Sequence, residues 1–193
     1  MAELIVFMEY KKVLAISGST RQQSTNDSLI KAIEDLCVNV FDITVYKGIA
    51  GLPQFNPDDD IEDVDTKVAE FREQLYAADG ILICTPEYAH GVPGTLKNAI
   101  DWTISSSNFP HKPTMLITAS TDGKYGHAAL LETLKVIEAK NVMNLQMVIP
   151  FVKTKISLDG KITDSKTLAG LETIIAEFIK TLNDHSHPFK NNS

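Results

Sequence analysis

Three side chains able to act as acid, base or ligand sit close together in PEYAHGVPG, residues 86–94: Glu87, Tyr88 and His90. A second polar group fills SGSTRQQSTN, residues 17–26, with Ser19, Thr20, Arg21, Ser24, Thr25 and Asn26. A third, ASTDGKYGHAA at 119–129, offers Ser120, Thr121, Asp122 and Gly123, then Gly126. The chemistry each permits differs. Glu87, Tyr88 and His90 match no metal-ligand spacing of the HExxH kind, and the chain has no GxSxG elbow to supply a supported nucleophile. The second group lacks both the GK[ST] ending of a Walker A loop and the GxGxxG dinucleotide fingerprint. Its hydroxyls, amide and guanidinium suit an anion such as phosphate, with a plain helix cap beside a solvated arginine as the alternative.

The elements that must position these groups alternate from end to end. KKVLAIS (11–17) is β-branched, apolar and stopped by Gly18, as a strand should be. A helix follows, capped at Ser24-Thr25, with Leu29, Ile30, Ile33, Leu36 and Cys37 at helical spacing. VFDITVY (40–46) is a second strand, and 47–60 is a polar loop punctuated by Gly, Pro and Asp. Val64, Val68, Phe71 and Leu75 mark the next helix. GILICT (80–85), apolar throughout, is expected as a central parallel strand buried on both faces. A helix near 93–104, a strand at 113–120, a helix face of Leu130, Leu134 and Ile137, a strand at 142–150 and a helix over Leu168–Leu182 complete the series.

Five β/α units predict an α/β three-layer sandwich around a parallel sheet. Ligands of such sheets bind beyond the carboxyl ends of the strands, which is where all three polar groups fall. In that setting the prolines and glycines of 86–94 fix a backbone shape whose N–H and C=O groups can face a flat heterocycle. His90 then reads as a rim residue, and Trp102 as a core or interface aromatic.

Length and composition agree with one domain over 1–193, residues 1–10 forming an N-terminal extension and 185–193 a flexible tail. The net charge of −7 and the scattered lysines and arginines give no nucleic-acid footprint. No apolar run reaches the roughly 20 residues needed to cross a bilayer, and no signal peptide is read. Cys37 and Cys84 form no CxxC pair and are expected to be free, buried thiols in a reducing cytoplasm.

The GSTRQQSTN loop (18–26) and the segment PEYAHGVPGTLKNAIDW (86–102) together resemble the NADPH-dependent FMN reductase family of flavodoxin-like proteins, with its GSxRxxSxN and PEYN-x-x-x-PG-x-LKNA-x-DW motifs. LPQFNPDDD (52–60) resembles the family's loop after the second strand. The resemblance spans nearly the whole chain. It implies a five-stranded sheet of order 2-1-3-4-5 and non-covalent FMN, with NADPH or NADH as co-substrate. It places the phosphate on Ser19, Arg21, Ser24 and Asn26, with Thr25 in the same loop. The isoalloxazine would lie against Pro86, Glu87, Tyr88 and Ala89, next to His90, with Ser120 and Gly123 opposite. Electrons would pass from the nicotinamide through the flavin to a small acceptor: a flavin, quinone, azo or nitro compound, or metal oxyanion. No catalytic side chain and no metal is required, and a homodimer or homotetramer is expected. A flavodoxin-type electron carrier is the main alternative, and a flavin-binding regulatory protein a second. Two positions depart from the family pattern: Ala89 replaces the Asn after PEY, and Asp122 adds a negative charge where the family often has glycine.

Overall fold

In the computed structural model, which describes residues 10–185, five parallel strands form one sheet of order β2-β1-β3-β4-β5. These are β1 (Lys11–Ser17), β2 (Phe41–Tyr46), β3 (Gly80–Thr85), β4 (Thr114–Ala119) and β5 (Gln146–Ile149). The helices between and after them are α1 (Thr25–Leu36), α2 (Thr66–Ala77), α3 (Gly94–Asp101), α4 (Lys124–Val136) and α5 (Ser165–Asn183). The sheet order is the one the resemblance implies. Apart from Tyr10 and His185, the expected N-terminal extension and C-terminal tail lie outside the described residues.

Alternation along each strand splits the core in two, because successive side chains leave opposite faces of the sheet. Val13, Ala15, Leu82, Cys84, Met115 and Ile117 join Leu29 and Ile33 of α1 and Leu171 and Phe178 of α5. Leu14, Ile16, Ile81, Ile83 and Leu116 face Val68 and Phe71 of α2, Leu96 of α3 and Leu130 of α4. Both faces of β3 and β4 are therefore covered, so every residue of those strands is buried, with Thr85, Thr114 and Thr118 the polar ones among them. Cys37 and Cys84 are free and buried, as expected.

Two elements differ from the sequence reading. β5 starts at Gln146 rather than near 142, because Asn141 takes a left-handed backbone (φ 58°) and the chain turns through 141–144. Val142 and Leu145 are apolar because they fill the core from that turn. α3 ends at Asp101 rather than near 104. There the Thr103 hydroxyl bonds back to Ile100 O at 2.7 Å and Arg72 takes the Trp102 carbonyl through Nε at 2.8 Å, so side chains replace the next helical bonds.

The loop over 52–60 is tied to α3. Asn98 Nδ2 donates to Pro53 O at 2.9 Å, and Asn98 Oδ1 accepts from Phe55 N at 2.7 Å. The buried Trp102 donates from Nε1 to the same Pro53 carbonyl at 2.9 Å, and its ring meets Phe55 edge-on. Thus the Asn and Trp of LKNA-x-DW are structural clamps. Lys112, also buried, closes the end of α2 by donating to the carbonyls of Leu75, Tyr76 and Ala78. Burial lowers its ammonium pKa to about 8, opposed by the nearby Asp79 charge.

Candidate functional site

A cleft of about 410 Å³ opens at the carboxyl ends of β1, β3 and β4. One wall is the β1–α1 loop. Gly18 N donates to Cys84 O at 2.8 Å, fastening this loop across the end of β3. Ser24 caps α1 by accepting from Asn26 N at 3.2 Å, and Ser19 Oγ accepts from Arg21 N at 3.4 Å. The positive end of α1 thus borders the cleft, lined there by Ser19, Arg21, Ser24, Thr25 and Asn26.

The second wall is the loop after β3, of which Pro86, Glu87 and Tyr88 line the cleft. Tyr88 and Gly91 exchange backbone hydrogen bonds at 3.1 and 2.9 Å around Ala89 (φ 49°) and His90 (φ 59°). Positive φ at both central residues makes a tight hairpin of the I′ kind. This turn carries Ala89 and His90 away from the cleft lining, and His90 stacks on Tyr125 with ring centroids 4.5 Å apart.

Ser120, Ala119 and Thr121 form the third wall. Gly123 supplies the left-handed N-cap of α4 (φ 93°) without lining the cleft. Behind this wall His127 is buried, its Nδ1 2.9 Å from Thr118 Oγ1 and its Nε2 2.7 Å from Gln146 Oε1. The Gln146 amide group donates in turn to Met143 O at 2.9 Å, so Gln146 Oε1 accepts from His127 Nε2–H and Nδ1 accepts from Thr118. Burial pushes the imidazole pKa down, with the Gln146 hydrogen bond acting the other way.

A fourth wall did not emerge from the sequence reading. Phe151, Val152, Lys153 and Thr154, just after β5, line the same cleft. Phe151 N donates to Thr121 O at 3.1 Å and Val152 N to Ser120 O at 3.2 Å, zipping this segment to the loop after β4. The usable signal was positional: the rule that placed sites after the first, third and fourth strands applies equally to the fifth.

The cleft's donors suit a phosphorylated, hydroxyl-bearing ligand. Its one guanidinium and its hydroxyls match a phosphate at a helix N-terminus. Asn26 is buried, with its Nδ2 3.4 Å from Ala119 O. Among the described residues, its Oδ1 is the one buried side-chain polar atom without a hydrogen-bond partner. Such an atom costs free energy unless a ligand or water answers it, and it belongs to a residue of the cleft wall.

Residues 11–153 match the model of the family described as NADPH-dependent FMN reductase. The chain belongs to that family. Members named among its relatives include an NAD(P)H-dependent FMN reductase of Pseudomonas aeruginosa, 33% identical over 161 residues (80% of this chain, 86% of that protein). A 2-hydroxy-1,4-benzoquinone reductase of a Burkholderia species is 32% identical over 180 residues (90% and 97%). Among solved structures, the flavoenzyme NAD(P)H:(acceptor) oxidoreductase FerB from Paracoccus denitrificans superposes with a TM-score of 0.77 at 26% identity, covering 91% of this chain and 98% of that one. As a member of the FMN reductase family the chain is an NAD(P)H-dependent, FMN-using oxidoreductase rather than a flavodoxin-type carrier. Its acceptors are small molecules. Among the described residues no helix is long and apolar enough to cross a membrane.

Proposed function

We propose that the cleft at the carboxyl ends of β1, β3, β4 and β5 is where this reductase holds FMN and meets its acceptor, a small planar molecule of the quinone class. The unanswered Asn26 Oδ1, buried beside the capped end of α1, is the observation that carries this reading. Ser19, Arg21, Ser24, Thr25 and Asn26 would hold the phosphate end, with the Lys153 ammonium as a further cation on the same cleft. Pro86, Glu87, Tyr88 and Ser120 would flank the ring. Ala89, His90 and Gly123, set off the lining, would act by shaping the two loops rather than by touching the ligand.

When bound, FMN supplies the electron-transfer chemistry that connects a nicotinamide to an acceptor, and the protein supplies binding, orientation and electrostatics. Arg21 and the α1 terminus neutralise phosphate charge, each charge-assisted hydrogen bond contributing about 1.5–3 kcal/mol. Tyr88 and Phe151 leave 49% and 63% of their surface exposed at the cleft edge, giving a flat partner aromatic faces to rest on. The Burkholderia quinone reductase supports that class of acceptor.

The reducing cytoplasm is the compartment that two free thiols favour. A homodimer or homotetramer agrees with the exposed Tyr88 and Tyr125 beside the cleft. The purified protein is expected to show the absorption bands of bound FMN, bleached anaerobically by NADPH or NADH and restored by a benzoquinone. A colourless protein that takes up no added FMN would overturn the assignment.

A further inference from the structure

Glu87 has the residue type and place of a general acid or base, yet its carboxylate is engaged elsewhere. Oε2 accepts the backbone N–H of Gly126, the third residue of α4. That N–H is one of the orphan donors at a helix start, normally answered by the N-cap side chain. In α4 the N-cap is Gly123, which has no side chain to offer. Glu87 therefore caps a helix from another loop, and its negative charge lies at the positive end of the helix dipole.

Other contacts join the same two loops. Ser120 Oγ donates to Glu87 O at 3.4 Å, and His90 stacks on Tyr125. Gly126 itself is pressed against the hairpin: a Cβ there would lie 2.8 Å from Gly91 O and 3.1 Å from Glu87 Cγ. The PEYAHG hairpin is thus seated directly on the first turn of α4. Because Pro86, Glu87 and Tyr88 form one wall of the cleft and Ser120 and Thr121 another, this seat fixes how far apart the walls stand.

We propose that Glu87 is a positioning residue, a latch between the β3–α3 hairpin and α4 that sets the width of the slot for the flavin ring. The proposal rests on the reading of the cleft as the FMN site. The latch works through an acceptor oxygen at one point, so glutamine can replace glutamate while alanine cannot. Closeness matters at Gly126, where a methyl group would wedge the two loops apart with the carboxylate still present.

The test compares Glu87→Ala, Glu87→Gln and Gly126→Ala in the full chain, reading FMN affinity by fluorescence titration and the visible circular dichroism of the bound flavin. Alanine at 87 is expected to raise the FMN Kd about tenfold, the equivalent of a lost cap, and to alter the flavin dichroism. Glutamine is expected to restore most of both, and Gly126→Ala to reproduce the loss. Thermal melting that falls in Glu87→Ala while FMN affinity and dichroism stay at parental values would show a mere helix cap and overturn the proposal. If the alanine variant does not fold, Gly126→Ala decides, and parental FMN affinity there overturns it equally. Failure of the parent protein to bind FMN would instead remove the reading of the cleft, before any variant is compared.

Discussion

The backbone of Gly18 runs so close to Thr85 that a Cβ on residue 18 would lie 2.2 Å from Thr85 Oγ1 and 2.7 Å from Thr85 Cβ. The same Cβ would lie 3.0 Å from Leu96 Cδ2, and both Thr85 and Leu96 are buried, so neither neighbour can retreat cheaply. This contact lets the β1–α1 loop lie flat across the end of β3. Gly18→Ala is expected to cost about 1–3 kcal/mol of stability through overpacking. It should also weaken FMN binding, and urea unfolding with flavin titration would measure both effects.

Arg21 lines the cleft at the start of α1. Arg21→Ala should weaken FMN binding by about 1.5–3 kcal/mol, or roughly ten- to a hundredfold, while riboflavin, lacking the phosphate, loses little. Lys153→Met should act in the same direction with a smaller effect. Flavin fluorescence titrations with both ligands at low and high salt would test the pair, and equal losses for FMN and riboflavin would count against phosphate contact.

Ala89 and His90 both hold left-handed backbones, a region that costs a non-glycine residue about 1–2 kcal/mol. Ala89→Asn or Ala89→Gly should relieve part of this strain and raise Tm by about 2–4 °C for each kcal/mol gained. FMN affinity should stay constant, because residue 89 does not line the cleft. His90→Ala should likewise leave the flavin bound. A loss of flavin in either variant would show these side chains to be ligands.

His127 gives a stability that depends on pH. Burial depresses its folded pKa below the usual value of 6.5, against which the Gln146 hydrogen bond acts. Below 6.5 the unfolded chain therefore binds more protons than the folded one, so stability falls as pH drops through that value and levels off beneath the folded pKa. Above 6.5 both states are neutral and the penalty vanishes. Urea unfolding from pH 7.5 to 5 should show a steeper decline in the parent than in His127→Gln; parallel curves would refute this.

Asn98 satisfies Pro53 O and Phe55 N at once, with Trp102 sharing the Pro53 carbonyl. Asn98→Ala should cost about 1–3 kcal/mol and loosen the 52–60 loop, visible as faster hydrogen exchange at Phe55. FMN affinity should change far less than in Arg21→Ala.

Much of the framework was open to reading in the residues themselves. The apolar runs of β3 and β4, the capped start of α1 and the glycine stops follow from local preferences that act within a few positions. The same is true of the anion-binding character of residues 18–26, since a helix start and its polar flank are neighbours in the chain. The start of β5 and the end of α3 depart from the local pattern, because tertiary contacts overrule it there. Val142 looks like strand because it is apolar, but it is apolar to fill the core from a turn.

What the sequence determined, then, was the series of β/α units and the chemical character of the loops, because both are written in short-range spacing. The tertiary structure decided what each polar group does. Glu87 became a latch on Gly126 rather than a free acid, Asn98 and Trp102 became clamps on a distant loop, and Phe151 to Thr154 joined the cleft from after the last strand. Those roles depend on pairs of residues separated by tens of positions, which only the closing of a parallel sheet brings within hydrogen-bond reach.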